Sequence, residues 1–235
     1  MKNTPDSETM LPQPRSSHPY GIYNSDLLET RIPDEEFKEL KTVKLGESSH
    51  KKLIGVVRDQ VSLDPKQCPK FSKFVNEMAN EFIYMRSQAL VMNQIIQCFA
   101  LNPLSNLFVP EEHFKLKMKE LWLNSMIAGD YQPVHQHSGL FSFVAYISVP
   151  YTGEEEHKLN KTIEKEKNSN GCTEFMNFFG HDNIQMNVTK KIEQTLVLFP
   201  SWVTHTVYPF RSKGRRITVS GNIYIDSVFD LEKRI

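Results

Sequence analysis

Hydrophobic positions follow two different periods along this chain, and the change falls near residue 116. Upstream, the clearest signal begins at Pro69. Phe71, Phe74, Val75, Met78, Phe82 and Met85 recur at spacings of three and four, with Lys73, Glu77 and Glu81 between them. That period puts one apolar stripe on a helix, and such a stripe is core rather than a cofactor box. Pro33 followed by Asp34, Glu35 and Glu36 predicts an earlier helix, with proline in the first turn and acids at the positive dipole end, finishing before Gly46. Residues 20–28 fit an edge strand and residues 53–61 fit either strand or turn. Helical pieces continue to about Leu101, where Asn102-Pro103 stops them. Residues 1–20 are polar and carry four prolines, which predicts an irregular or disordered start.

From residue 116 onward, short apolar and β-branched runs alternate with turn signals. Eight candidate strands follow: 121–127, 131–137, 141–149, 173–179, 184–188, 195–199, 204–208 and 216–225. Gly129-Asp130 and Ser138-Gly139 read as tight turns. The one long connection, 151–171, is rich in Glu, Lys, Asn and Ser and reads as a solvated insertion. Strands joined mostly by short turns predict a barrel or jelly roll, which protects sheet edges. The fold class is therefore α+β, mainly β, with N-terminal helices packed on a β-barrel. Its parts are an irregular segment 1–20, a helical support region 21–115, a core 116–228 and a tail 229–235.

Bulk properties narrow the partners. At 235 residues, one large domain can bury roughly 70–75% of its unfolded surface. Lys and Arg number 28 and Asp and Glu 28, so no net field steers the chain toward nucleic acid or an anionic membrane. Three widely spaced cysteines, Cys68, Cys98 and Cys172, argue against a disulfide framework and for a reducing compartment. No apolar run approaches a membrane span, and the first residues lack a signal-peptide pattern. The expected setting is soluble and cytoplasmic, in a host cytoplasm if the protein is viral.

The chemistry gathers at Gly129-Asp-Tyr-Gln-Pro-Val-His135-Gln-His137-Ser-Gly139. On an extended segment, His135 and His137 project from one face. A third histidine, His205, follows in Phe199-Pro-Ser-Trp-Val-Thr-His205. Neutral imidazoles suit iron, copper, zinc and nickel, and three of them make one face of a metal with the opposite face open. His18, His50, His113, His157 and His181 have no such companions and read as surface residues. Arg216, Thr218 and Ser220 share a strand face, where a guanidinium and a hydroxyl can grip a carboxylate together. Arg215 points the other way and reads as a solvated arginine.

The order His-x-His, long polar insertion, Leu198-Phe-Pro-Ser-Trp-x-x-His205 and Arg216-Ile-Thr-Val-Ser-Gly-Asn222 resembles the 2-oxoglutarate/Fe(II)-dependent dioxygenases. The likeness is greatest to their prolyl-hydroxylase-like branch, including phage members. It covers roughly 121–222, with Trp122-x-Asn124 and Phe143-Val-Ala-Tyr146 also similar. The resemblance implies a double-stranded β-helix and an Fe(II) site. In it, His135 and His205 match metal ligands, while Arg216 with Thr218 matches the pair holding the far carboxylate of 2-oxoglutarate. Tyr146 and Asn124 add hydrogen bonds to that cosubstrate. Dioxygen and an unidentified substrate, a small molecule or a peptide, are the remaining partners, and the helical half offers a lid or a dimer surface. The chain departs from the family at His137, which stands where an Asp or Glu is expected. Either His137 is itself a ligand, which its shared face with His135 favours, or Glu174 or Asp182 supplies one, or the site is inactive. A three-histidine, cupin-like metalloenzyme without 2-oxoglutarate and a non-catalytic β-barrel binding module stand as the alternatives. A nucleic-acid dioxygenase is disfavoured by the zero net charge and the lack of a basic-aromatic stripe.

Overall fold

The computed structural model describes residues 22–24, 27–43, 55–57, 59–85, 114–160, 168–176 and 183–228. The segment 1–20, the helical pieces expected up to residue 101 and the tail 229–235 lie outside the described residues.

Eleven strands form two antiparallel sheets among the described residues. The larger has the order β1-β2-β9-β6-β11-β4-β3, with β1 Ile22–Asn24, β2 Leu27–Arg31, β9 Thr195–Pro200, β6 Phe141–Ser148, β11 Arg216–Val228, β4 Phe114–Met126 and β3 Asp59–Ser62. The smaller has the order β5-β10-β7-β8, with β5 Gln132–His135, β10 Thr204–Val207, β7 Thr173–Met176 and β8 Ile184–Met186. Each of the eight predicted strands has a counterpart here, with β4 and β11 running well past the predicted ends. The N-terminal region also contributes strands: β1 and β2 extend one edge of the large sheet and β3 forms the other. These strands overlap the edge strand expected over 20–28 and the strand-or-turn segment 53–61. Period-2 runs this short are not separable from turns without their pairing partners.

Two helices cover the outer face of the large sheet. α1 (Asp34–Thr42) follows Pro33, which sits at the cap position rather than inside the first turn. α2 (Pro69–Met85) buries Phe71, Phe74, Val75, Met78 and Phe82, the stripe read from the sequence. Phe71 meets Phe143 edge-on with centroids 5.8 Å apart, and Phe82 meets Phe141 at 5.4 Å. Because side chains alternate along β6, Phe141, Phe143 and Ala145 join this helix-side core. Tyr146 faces the second core, between the sheets, with Phe175, Val197 and Phe199. Central strands buried on both faces read as nearly continuous hydrophobic runs, as β6 and β9 do.

The insertion carries structure of its own. α3 (Gly153–Leu159) opens with a capping box in which Thr152 and Glu155 satisfy each other's backbone N–H. Its Glu156 is buried and accepts from the backbone N–H groups of Arg211 and Ser212, both at 2.8 Å. His157, expected at the surface, is half-buried, and its Nδ1 has no hydrogen-bond partner. No helix among the described residues is long and apolar enough to cross a membrane.

Candidate metal and anion site

The inner face of the large sheet and the facing small sheet enclose a solvent-open cavity. Strand register decides what lines it. On β11, Arg216 pairs with Met126, Thr218 lies between Asn124 and Tyr146, and Ser220 lies between Trp122 and Val144. On the small sheet, His205 lies between His135 and Phe175, and Val207 lies between Gln132 and Thr173. Arg216, Thr218, Ser220, Tyr146, Asn124, His137 and His205 all line this one space.

The three histidines converge on a point. One ligand nitrogen from each of His135, His137 and His205 lies within 4.8 Å of the others, and this is the one such cluster among the described residues. Ring centroids are 4.2 Å apart for His135 and His205, 5.0 Å for His135 and His137, and 5.1 Å for His137 and His205. Nδ1 of His135 lies 2.7 Å from the Pro133 carbonyl, and Nδ1 of His205 lies 3.1 Å from that of Val203. A carbonyl only accepts, so each Nδ1 carries the proton and each Nε2 keeps its lone pair. Burial is the main force on their titration. It lowers the His135 imidazolium pKa, against the Pro133 hydrogen bond that raises it. His137 is pushed down to about 4 and His205 to about 3, by burial first and then by the neighbouring imidazoles. All three are neutral at pH 7, as metal binding requires.

His137 reaches the cluster by a different route from the one alternation suggests. β5 ends at His135, and His137 lies in the turn beyond it. Its backbone N–H donates to the Ser201 carbonyl at 2.9 Å, and the Ser201 hydroxyl donates to the Gly139 carbonyl. Gly139 has φ +95°, and a Cβ there would meet the Ile223 carbonyl oxygen at 2.8 Å, so only glycine lets this turn close. Glu174 does not join the histidines. It alternates away from Thr173 and Phe175 and accepts from Tyr208 Oη at 2.5 Å and Asn183 Nδ2 at 2.9 Å. Asp182 lies outside the described residues.

Arg216 is 2% exposed and has no acidic partner among the described residues. Its Nη1 donates to the Gly171 carbonyl at 2.8 Å and to Tyr151 Oη at 3.1 Å, and the Phe210 ring lies 5.4 Å from Cζ. Gly171 itself has φ +72° and packs on the Tyr151 ring. The two ends of the insertion thus hold the guanidinium, a role that nothing in the sequence flagged. Arg215 is exposed, as expected, and pairs at the surface with Asp59 at 2.8 Å. Tyr146 is 2% exposed, within 3.4 Å of Thr173 Oγ1, and burial pushes its phenol up to about 12, so it stays a neutral hydrogen-bonding group. Asn124 accepts from Gln60 Nε2 at 2.8 Å, which turns its own amide N–H toward Ser220, 3.5 Å away. Gln60, on β3, was not singled out in the sequence because its strand had no clear period.

Residues 120–222 match the family model described as "Putative 2OG-Fe(II) oxygenase". This stretch, a little under half of the chain, is similar to the 2-oxoglutarate/Fe(II) oxygenases. A dioxygenase of that class, using Fe(II) and the cosubstrate 2-oxoglutarate, is what the match supports. No curated protein matches the chain. Similar solved structures include a prolyl-4-hydroxylase from Pseudomonas putida, with 13% identity, 88% of this chain and 93% of that one covered, and a TM-score of 0.46. The collagen prolyl hydroxylase of Paramecium Bursaria Chlorella virus-1, solved with 2-oxoglutarate, has 13% identity, coverage of 85% and 96%, and a TM-score of 0.46. A Trichoplax adhaerens prolyl hydroxylase, solved with a hypoxia-inducible-factor peptide, has 11% identity, coverage of 89% and 86%, and a TM-score of 0.42.

Proposed function

We propose that this oxygenase is a hydroxylase that holds Fe(II) with His135, His137 and His205 and grips the far carboxylate of 2-oxoglutarate with Arg216 and Thr218. The catalytic core in this reading is a double-stranded β-helix over 116–228, with the insertion 151–171 closing over the anion end. One observation carries the assignment: a buried guanidinium without an acidic partner among the described residues faces the same cavity as His137 and His205, two of three converging imidazoles. A buried cation left uncompensated costs several kcal/mol, so a site that keeps one is built for an anion. The donor set fits the metal, since three neutral nitrogens suit divalent iron and leave room for further ligands.

Bound Fe(II) supplies dioxygen activation, coupled to oxidative decarboxylation of 2-oxoglutarate to succinate and CO2. The chain's own residues supply position and packing. The Nδ1–H bonds of His135 and His205 fix the tautomer that aims Nε2 inward. Arg216 presents a planar fork of donors that lysine cannot reproduce. Tyr146, held neutral, and Asn124, turned by Gln60, direct hydrogen bonds into the same space. Phe175 and Phe199 pack on the His205 imidazole, and Phe199 also lies against His137.

The test is an anaerobic titration of the protein with Fe(II) and then 2-oxoglutarate, following the visible metal-to-ligand charge-transfer band. The band is expected in the wild type and absent or shifted to far higher 2-oxoglutarate in Arg216→Ala. An unchanged band in that variant would overturn the placement of 2-oxoglutarate.

A further inference from the structure

The helix inside the insertion is docked by a carboxylate. α3 has seven residues, well under the roughly 12–15 that hold a helix in water unaided, so its place is set by what it touches. Glu156 is the residue it buries, at 2% exposure, while Leu159, its one large aliphatic side chain, is 53% exposed. Burying a carboxylate costs free energy that burying a leucine does not, unless hydrogen bonds satisfy it. Here both oxygens are used. Oε2 accepts from the Arg211 N–H and Oε1 from the Ser212 N–H, each at 2.8 Å. Two charge-assisted bonds to backbone donors restrict position and angle in a way that an apolar contact does not.

The two segments joined by this clamp both reach Arg216. On the insertion side, Tyr151 stands immediately before the Thr152 cap of α3, and its Oη accepts from Arg216 Nη1 at 3.1 Å. Burial pushes the Tyr151 phenol up, and Glu156 adds to this against the opposing guanidinium, so the hydroxyl keeps its proton for the Gly171 carbonyl at 3.4 Å. On the other side, Phe210 precedes Arg211, and its ring lies 5.4 Å from the guanidinium carbon. The Tyr151 and Phe210 rings stack with centroids 4.8 Å apart and planes 30° from parallel. Tyr151, Phe210 and Arg216 are each at most 2% exposed. The bonds of Glu156 go to backbone, so its hold on Arg216 runs through these two rings.

We propose that Glu156 is a positioning residue for the anion site: it locks Tyr151 and Phe210 around Arg216 and so sets the direction in which the guanidinium fork meets a ligand carboxylate. The proposal rests on the reading of Arg216 as the receptor for the far carboxylate of 2-oxoglutarate, and the experiment separates the two.

Calorimetry measures Ni(II) binding, and then 2-oxoglutarate binding to the Ni(II)-loaded protein, in the wild type, Glu156→Gln, Arg216→Met and the double variant. Glutamine keeps the length but turns an amide N–H toward one of the two backbone donors. Glu156→Gln is expected to weaken 2-oxoglutarate about tenfold with Ni(II) affinity unchanged, and to have no further effect in the Arg216→Met background. Glu154→Gln, at an exposed acid of the same helix, is expected to leave both affinities as they are. Phe210→Leu keeps the clamp and removes the stacked ring, so it carries the test if Glu156→Gln does not fold, with the same selective loss expected. A purely structural role lowers the melting temperature and leaves 2-oxoglutarate affinity per folded molecule unchanged. That result overturns the proposal while Arg216 stands, and so do equal, additive losses in the wild-type and Arg216→Met backgrounds. Full 2-oxoglutarate affinity in Arg216→Met, or no 2-oxoglutarate binding by the wild type, removes the receptor reading itself and the proposal with it.

Discussion

Replacing Arg216 with methionine separates a ligand-binding guanidinium from a structural one. Methionine approximates the volume and removes the charge, so the change tests electrostatics more than packing. In the ligand-free protein the guanidinium is 2% exposed without an acidic partner, held by the Gly171 carbonyl and Tyr151 Oη. Tyr151 Oη already lies 3.4 Å from that carbonyl and can donate to it when the arginine is gone. Loss of three hydrogen bonds, two to oxygen at about 1 kcal/mol each and a weaker one to Met126 Sδ, is therefore offset by relief of a buried uncompensated charge, and stability without ligand is expected to change by less than about 1 kcal/mol. Ligand linkage behaves differently. At 2-oxoglutarate one hundred times its dissociation constant, the loaded wild type gains about 2.7 kcal/mol. Truncating one partner of a buried charge pair costs about 2–5 kcal/mol, so affinity falls roughly 30-fold or more. With a hundredfold loss, the same 2-oxoglutarate concentration stabilises the variant by only about 0.4 kcal/mol. Urea denaturation of wild type and Arg216→Met, with Fe(II) alone and with Fe(II) plus 2-oxoglutarate, measures both quantities. A variant that loses more than about 3 kcal/mol without ligand, or that keeps the full 2-oxoglutarate gain, refutes the reasoning.

The metal-free protein is expected to lose stability as pH falls through the window between the ordinary histidine value near 6.5 and the depressed values of about 4 for His137 and about 3 for His205. In that window the unfolded chain binds more protons than the folded one, giving a slope of up to about 1.4 kcal/mol per pH unit for each histidine, and equal stability at pH 7 and pH 5 would count against the burial argument. His137→Ala is expected to weaken Fe(II) or Ni(II) binding by more than the about 10–100-fold typical of losing an outer hydrogen-bond partner, while His157→Ala leaves it unchanged; calorimetry decides, and full affinity in His137→Ala moves the third ligand elsewhere. Gly139→Ala forces a side chain onto a φ of +95° with its Cβ 2.8 Å from the Ile223 carbonyl oxygen, so about 1–3 kcal/mol of stability should be lost together with metal affinity. A Gly139→Ala protein with wild-type melting and metal binding would show that the turn is not constrained as described. Phe71→Ala should cost about 3–5 kcal/mol at the junction of α2 and β6, read by urea denaturation, with iron affinity per folded molecule unchanged.

Local pattern carried much of this protein. The three-and-four spacing from Phe71 to Phe82 named the buried face of α2, because a helix repeats every 3.6 residues wherever it packs. Alternation along Arg216, Thr218 and Ser220 named the cavity face of β11, because successive strand residues point to opposite sides. The residue types His135, His137, His205 and Arg216 announced metal and carboxylate chemistry before any geometry was known.

Tertiary structure decided what no local period contains. The pairing of His205 opposite His135 joins segments seventy residues apart, and register of that range is set by whole-sheet packing rather than by either segment. Whether His137 turned inward depended on the Ser201 carbonyl taking its N–H and on the space that Gly139 leaves, since the strand supposed to orient it stops at His135. The grip on Arg216 comes from Tyr151 and Gly171, two ends of a polar insertion whose composition suggested only a solvated loop. Composition reports solvent exposure on average. A single buried cation needs specific acceptors, and only the folded chain shows which distant atoms supply them.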